Sequence, residues 1–384
     1  MKHGDYMPQI KVLNIMGSIF RYGGTESFVM SYYRNIDRTQ IQFDFVVHGF
    51  EKGVYDDEIN SLGGKIYQVP VKSKDYSGNI RELKKITGSG EYQIIHTHND
   101  AMGMIALKIA KKYGLPVRIA NSLNTDHQTT NKIQYTLNEY ARKRIKKYAT
   151  HLTACSGLAG SWLFGEDAVN NNQVRIFKTA IDFDEFCYNE EKRNKLRTLY
   201  GIQDNLVIGH VGRFSEQKNH MFLLDIFKEI HNINPKAKLL LAGFGHLQEQ
   251  IENKINALGL NDYVTMLGQI SGTSEIMNAF DIFILPSLYE GQPVVLTEAQ
   301  ANGLQCYISG TVTKEVDIFK STDSYKLVSF LSLNDSPEKW AETICNQYDE
   351  KISRKISKEI FSSTGYEIKE AAKGLQDFYT TSLS

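Results

Sequence analysis

Apolar positions along the chain follow two rhythms. Short dense runs such as KVLNIMG (11–17), FDFVVHG (43–49), KIYQVP, YQIIHTH and VRIANS end at glycine, proline or polar residues, as buried parallel strands do. Between them, apolar residues recur every three or four positions. TESFVMSYYRNI (25–36) puts Phe28, Tyr32 and Ile36 on one helical side, and VYDDEINSLGG (54–64) reads as a helix closed by glycine. The pattern restarts in the second half. LVIGHVGRF (206–214), KLLLAGFGH, YVTMLGQI, DIFILPS and QCYISG are strands there, and NHMFLLDIFKEIHNI and HLQEQIENKINALGL are helices. Strands alternating with helices predict parallel sheets covered on both faces, an α/β chain of two doubly wound, Rossmann-like domains.

A length of 384 residues exceeds what one ordinary core holds. The boundary falls near FKTAIDFDEF (177–186), ahead of the charged run NEEKRNKLR, which gives domains 1–181 and 182–364. The segment 365–384 is then a final amphipathic helix. Two open α/β units joined this way face a cleft, and such sheets bind ligands beyond the carboxyl ends of their strands. The net charge of zero hides an asymmetry: 24 Lys+Arg against 16 Asp+Glu through Ile181, then 20 against 28. No apolar run approaches the roughly 20 residues that cross a bilayer. The start, MKHGDYMPQI, is a short tail without a signal pattern, so a cytoplasmic location is expected. Cys155, Cys187, Cys306 and Cys345 are scattered, without metal or CxxC spacing, and read as reduced packed thiols.

Candidate chemistry gathers at strand ends. In YEGQPVVLTEAQANG (289–303), Glu290 lies on a loop after an apolar strand, Pro293 suits a first helical turn, and Glu298 lies farther along the helix. Free N–H groups at that helix start, with those of Gly291 and Gln292, suit a phosphate or a sugar hydroxyl. A carboxylate at Glu298 can accept both hydroxyls of a ribose, and Glu290 can do the same for a hexose. In HVGRFSEQKNH (210–220), Arg213 and Lys218 place two cations at a strand end, which suits a diphosphate. LAGFGH (241–246) adds Gly243 and Gly245, where backbone can approach a ligand. On the residues alone, each feature is equally a solvated loop or ordinary surface charge.

Taken in order, these segments resemble retaining glycosyltransferases of the GT-B fold. EGQPVVLTE matches their E-x7-E signature, GRFSEQKN their G-R-x4-K-N segment, LAGFG their glycine turn, and YGGTE their N-terminal glycine loop. The likeness covers nearly the whole chain and is greatest to the bacterial capsule and exopolysaccharide enzymes of family GT4. It implies that Arg213 and Lys218 hold the donor diphosphate and stabilise the leaving group. It implies that Glu298 binds the ribose, and that Glu290 with Gly291 and Gln292 orients the sugar. Gly23 and Gly24 would let a loop reach phosphates or acceptor, and His98 in IIHTHND would contact the donor sugar. As a bare feature, His98 (like His96) is equally a packed or capping histidine. The resemblance also implies retention, no metal and no cofactor, a nucleotide-sugar donor (UDP foremost), a glycan or lipid-linked glycan acceptor, and a last helix crossing back onto the first domain.

Two departures stand out. The hinge segment, P-N-G-hydrophobic-D in relatives, reads F-K-T-A-I-D here, with Thr179 and Ala180 in place of Asn and Gly. Gln292 replaces a common Phe, so a polar side chain beside the sugar is expected to alter donor choice. NEYARKRIKKYAT (138–150) packs Arg142, Lys143, Arg144, Lys146 and Lys147 into six positions, a basic helix suited to anionic lipid or simply a solvated face. No stacking or recognition motif accompanies that charge, which argues against nucleic acid. Two other functions stay open: a nucleotide-sugar 2-epimerase on the same fold, and a non-catalytic nucleotide-sugar-binding partner subunit.

Overall fold

The computed structural model describes residues 9–127, 129, 131–270, 272–321 and 325–384; most of the tail MKHGDYMPQI lies outside them. The chain forms two compact units, Met1–Lys178 with Ile368–Ser384, and Thr179–Glu367. The divisions fall three residues from the expected ones at each crossing. Ile181 N–H donates to the Tyr366 carbonyl at 3.0 Å, and Ile181 bridges Glu367 in parallel, so both segments belong with the second unit.

The first unit holds seven strands: β1 (Ile10–Ile15), β2 (Ile41–His48), β3 (Ile66–Val69), β4 (Ile94–Thr97), β5 (Val117–Ser122), β6 (His151–Ala154) and β7 (Val174–Ile176). They pair in parallel in the order β3-β2-β1-β4-β5-β6-β7. The second unit holds β8 (Leu206–Val211), β9 (Ala237–Ala242), β10 (Val264–Gly268), β11 (Ile282–Leu285), β12 (Gln305–Ser309) and β13 (Val328–Leu331). Their order is β10-β9-β8-β11-β12-β13, again parallel. In each sheet the chain first winds outward one way and then restarts beside its first strand. The switch points therefore lie between β1 and β4 and between β8 and β11, the places where open α/β sheets bind ligands.

The central strands bury both faces: β2 and β11 are buried throughout. That is why their apolar runs are legible. β6, β7 and β13 escape the periodicity argument, because β7 has only three residues and every position of β13 is half-exposed. The helix Ile368–Ser382 packs on the helix Gly24–Asn35 of the first unit. Its Tyr379 is fully buried, with the ring 5.8 Å from Phe43 and the hydroxyl 2.7 Å from His96 Nδ1. The basic segment is not one helix. A helix covers Lys132–Arg142, a single tight turn covers Ile145–Lys147, and Ile145 is buried.

Candidate functional site

The second unit's switch point carries the charged residues. The chain leaves β8, passes Arg213, and makes a tight turn over Glu216–Lys218. Asn219 then takes a left-handed conformation (φ 55°) and starts the helix His220–Ile233, while its side-chain amide donates to the Pro286 carbonyl at 3.2 Å. That contact joins the β8 loop to the β11 loop. Leu288 N–H donates to the Gln217 carbonyl at 2.8 Å, and Gln217 Nε2 donates to the Tyr289 carbonyl (3.0 Å) and to Glu290 Oε2 (3.3 Å). Lys218 Nζ meets Glu290 Oε1 at 2.5 Å, with side chains 14% and 7% exposed. A pair this sheltered persists because each charge supports the other; removing one leaves the other uncompensated.

Gly243 and Gly245 lie after β9, beside the same loop. A Cβ on Gly243 would stand 1.9 Å from the Gly212 carbonyl oxygen, and its φ of 150° suits only glycine. A Cβ on Gly245 would stand 2.2 Å from the Phe214 carbonyl oxygen. Phe214 N–H donates to the Phe244 carbonyl at 2.9 Å. The two glycines thus let one strand-end loop lie directly on the other, on both sides of Arg213. Arg213 itself is exposed, and its guanidinium has no partner among the described residues.

Glu298 lies on the helix Val294–Ala301, which Pro293 precedes as its cap rather than occupying its first turn. The carboxylate is buried, and Thr273 Oγ1, from the segment after β10, donates to its Oε2 at 2.7 Å. Burial raises its pKa from 4.5 to about 7, against the opposing pull of the Thr273 hydrogen bond. Loops from four adjacent strands, β10, β9, β8 and β11, thus supply Thr273, the glycine turn, Arg213 with Lys218, and Glu290.

In the first unit, Gly23 and Gly24 open the helix Gly24–Asn35 at the end of β1. Gly23 is extended (φ −165°), and among the described residues nothing beyond its chain neighbours and its own helix backbone comes within 4 Å of a Cβ placed on Gly24. His98 follows β4 and is sealed inside. Asn121 Nδ2 donates to its Nδ1 at 3.2 Å, which leaves Nε2–H to donate to Asn14 Oδ1 at 3.0 Å. Burial pushes its pKa down to about 3, so the ring is neutral. Thr153 Oγ1 bridges Asn121 (3.0 Å) and His96 (3.3 Å), and His96 reaches Tyr379 on the last helix. Among the described residues, no group of three or more His, Cys, Asp or Glu could hold a metal ion.

Residues 192–358 match the family described as glycosyl transferases group 1. The chain is 36% identical to the putative glycosyltransferase EpsF of Bacillus subtilis, over 97% of each chain. The chain belongs to the glycosyl transferases group 1 family. It is 23% identical to the Escherichia coli UDP-Gal:alpha-D-GlcNAc-diphosphoundecaprenol alpha-1,3-galactosyltransferase, over 88% of this chain and 89% of that one. Among solved structures it resembles Anabaena Alr3699/HepE in complex with UDP-glucose, with a TM-score of 0.76 and 14% identity over 97% of this chain and 100% of that one. Its two sheets are those of a GT-B glycosyltransferase.

Within this group 1 glycosyltransferase, the structure brings Lys218 onto Glu290 and Gly243 and Gly245 onto the Arg213 loop. Glu298 is tied to Thr273, which sequence reasoning missed because a lone threonine after an edge strand carries no pattern. Gln217 was missed too, although it sits inside the recognised G-R-x4-K-N segment. Asn219 offered a signal, since Asn before a helix is a common left-handed residue. His98 is enclosed: a sugar could reach a ring nitrogen only if Asn14 or Asn121 let go. No described helix is long and apolar enough to cross a membrane.

Proposed function

We propose that the protein moves a sugar from a nucleotide-diphosphate-sugar, UDP foremost, to a glycan or lipid-linked glycan acceptor in surface-polysaccharide synthesis. Transfer retains the anomeric configuration and needs neither metal nor cofactor. The observation that carries this reading is the Lys218–Glu290 pair at the switch point, beside the exposed Arg213. As the bond to the anomeric carbon lengthens, charge builds on the departing diphosphate. Arg213 meets it with a fork of donors and Lys218 with a point charge, the role a metal ion fills elsewhere. Ionised Glu298 accepts two ribose hydroxyls. Glu290 and the backbone N–H groups of Gly291 and Gln292 hold the sugar. The acceptor hydroxyl attacks on the face the phosphate leaves, and the phosphate takes its proton. The nucleotide choice draws support from the UDP-Gal named for the Escherichia coli relative and the UDP-glucose of the Anabaena neighbour.

The test is to offer UDP-galactose, UDP-glucose and UDP-N-acetylglucosamine with a polyprenyl-diphosphate-linked sugar, with and without EDTA, and to read the product's anomeric configuration by NMR. An α-linked product formed equally well in EDTA supports the reading. A β-linked product, or loss of activity in EDTA, sinks retention or metal independence respectively. A donor altered without any acceptor would favour an epimerase, whereas nucleotide binding without turnover would favour a binding subunit.

We also propose peripheral contact with an anionic membrane at the cytoplasmic face, through the 138–150 segment together with the helical turns that precede it. Arg142 is occupied by Glu139 (2.7 Å) and the Trp162 carbonyl (2.7 Å), and Lys146 by the Phe164 carbonyl (2.8 Å). One helical stripe earlier, Ile133, Leu137 and Tyr140 are 75%, 57% and 50% exposed, with Lys132, Lys143 and Arg144 also exposed nearby. Apolar residues spaced i, i+4, i+7 with flanking cations fit a helix lying in a lipid interface. Flotation with phosphatidylcholine vesicles containing phosphatidylglycerol should recover wild type. The Ile133→Ser/Leu137→Ser/Tyr140→Ser variant should partition at least tenfold less, by about 0.8 kcal/mol per lost buried methylene. Equal recovery of both proteins would remove this surface from the proposal.

A further inference from the structure

We infer that Gln292 is a tether: it fastens the sugar-holding loop to the two segments through which the chain enters and leaves the second unit, and so positions that loop for transfer. The two places where the sequence departs from the family pattern meet here. Thr179 N–H donates to Gln292 Oε1 at 3.4 Å. Gln292 Nε2 donates to the Tyr366 hydroxyl, which in turn donates to the Glu315 carbonyl at 3.1 Å. Thr179, Gln292 and Tyr366 are all buried. Thr179 is the first residue of this unit and Tyr366 the last but one. The incoming and outgoing segments are also bonded to each other, Ile181 N–H to the Tyr366 carbonyl.

The direction of the chain of bonds decides what Gln292 does. A primary amide has a carbonyl and an NH2 to offer, and each already has a partner inside the unit. Two of its four hydrogen-bonding positions, one N–H and one lone pair, are thereby committed to the fold, and they hold the amide in place. The loop's offering at this position is its backbone N–H. A Phe at 292 could pack against Thr179 and Tyr366 but could bond to neither. Gln292 adds directional bonds that fix the loop, two residues beyond Glu290, to the linker pair and to the turn after β12 that contains Glu315. Small displacements of a positioning group cost turnover more than binding.

This inference rests on the reading of the Glu290–Gln292 loop as the seat of the donor sugar. Its test uses the full chain with Gln292→Met, which keeps length and apolar bulk, with Tyr366→Phe, which deletes one hydroxyl, and with the double variant. Affinity for UDP, affinity for the three UDP-sugars named above, the rate of UDP release from the sugar that is turned over, and Tm are measured for each. UDP affinity should stay within about twofold of wild type, because the nucleotide contacts are elsewhere. Turnover should fall about tenfold in Gln292→Met and severalfold in Tyr366→Phe, the scale of one lost buried hydrogen bond. The double variant should be no worse than Gln292→Met, because both changes cut one chain. A turnover loss confined to Gln292→Met would mean that the side chain touches the sugar directly and would overturn the tether. So would losses that multiply, or a fall in Tm with turnover intact. If wild type binds no UDP, the donor-site reading fails as well. If wild type binds and turns over donor while every variant matches it, only the tether fails.

Discussion

The two glycine-bearing strand-end loops use the same residue for opposite reasons. Gly243 and Gly245 are glycine because backbone already occupies the space a side chain would take, 1.9 Å and 2.2 Å away. Gly24 is glycine where the described residues leave the space open. The second unit's site is built before any ligand arrives: Lys218 against Glu290, Glu298 against Thr273, and one loop clamped to the next. The first unit presents an open helix start at Gly24 and keeps His96 and His98 inside a closed network. Glycine at a strand end therefore has two meanings, and only packing tells them apart.

The sharpest way to break this comparison is to remove a charge from the built site. Lys218→Ala should lower transfer by roughly 10²–10³-fold, as loss of one donor to a developing oxyanion does. It should also cost about 3 kcal/mol of stability, because the sheltered Glu290 loses the cation that balances its charge. Denaturant melts and donor turnover check both, and an active, equally stable variant would mean that the pair is incidental.

The glycines themselves come next. Gly243→Ala should destabilise the protein by about 3 kcal/mol, from the strained φ and the collision with the Gly212 carbonyl. Gly24→Ala should change stability by less than about 1 kcal/mol while weakening turnover. Equal melting losses at the two positions would erase the distinction.

A pH experiment sharpens the contrast between the buried carboxylate and the buried histidine. The folded pKa of Glu298 lies above its unfolded value, so between pH 4.5 and about 7 the folded state binds more protons. Stability therefore falls as pH rises through that window. Glu298→Gln should gain about 3 kcal/mol at pH 8 and almost nothing at pH 4.5, using roughly 1.36 kcal/mol per unit. Identical pH dependence in both proteins would contradict the burial argument. The smallest expected effect is at His98. Its pKa of about 3 keeps it neutral at working pH, so turnover should show no limb near pH 6.5 that His98→Gln removes.

Much of this was legible from sequence because the central strands are buried on both faces and write themselves as apolar runs. The short edge strands β7 and β13 were not, since three residues are too few for a rhythm and four half-exposed ones show none. Arg213, Lys218 and Glu290 announced themselves by following those runs. Thr273, Gln217 and Tyr366 did not, because their roles are set by what folds against them. In the basic run at 142–147 the sequence could not tell which cations are occupied: Lys146 and Arg142 donate to backbone carbonyls, Lys143 and Arg144 are exposed, and an exposed apolar stripe begins earlier, at Ile133.

The most direct measurement is calorimetric titration of wild type, Lys218→Ala and Glu298→Ala with UDP, GDP and ADP at pH 6 and pH 8. Hydroxyls donated to Glu298 favour its ionised form, so the favoured nucleotide should bind more tightly at pH 8 and release a proton at pH 6, and both variants should lose affinity. A wild type that binds none of the three, or variants that bind as well as wild type without any proton release, would contradict a donor site at this switch point.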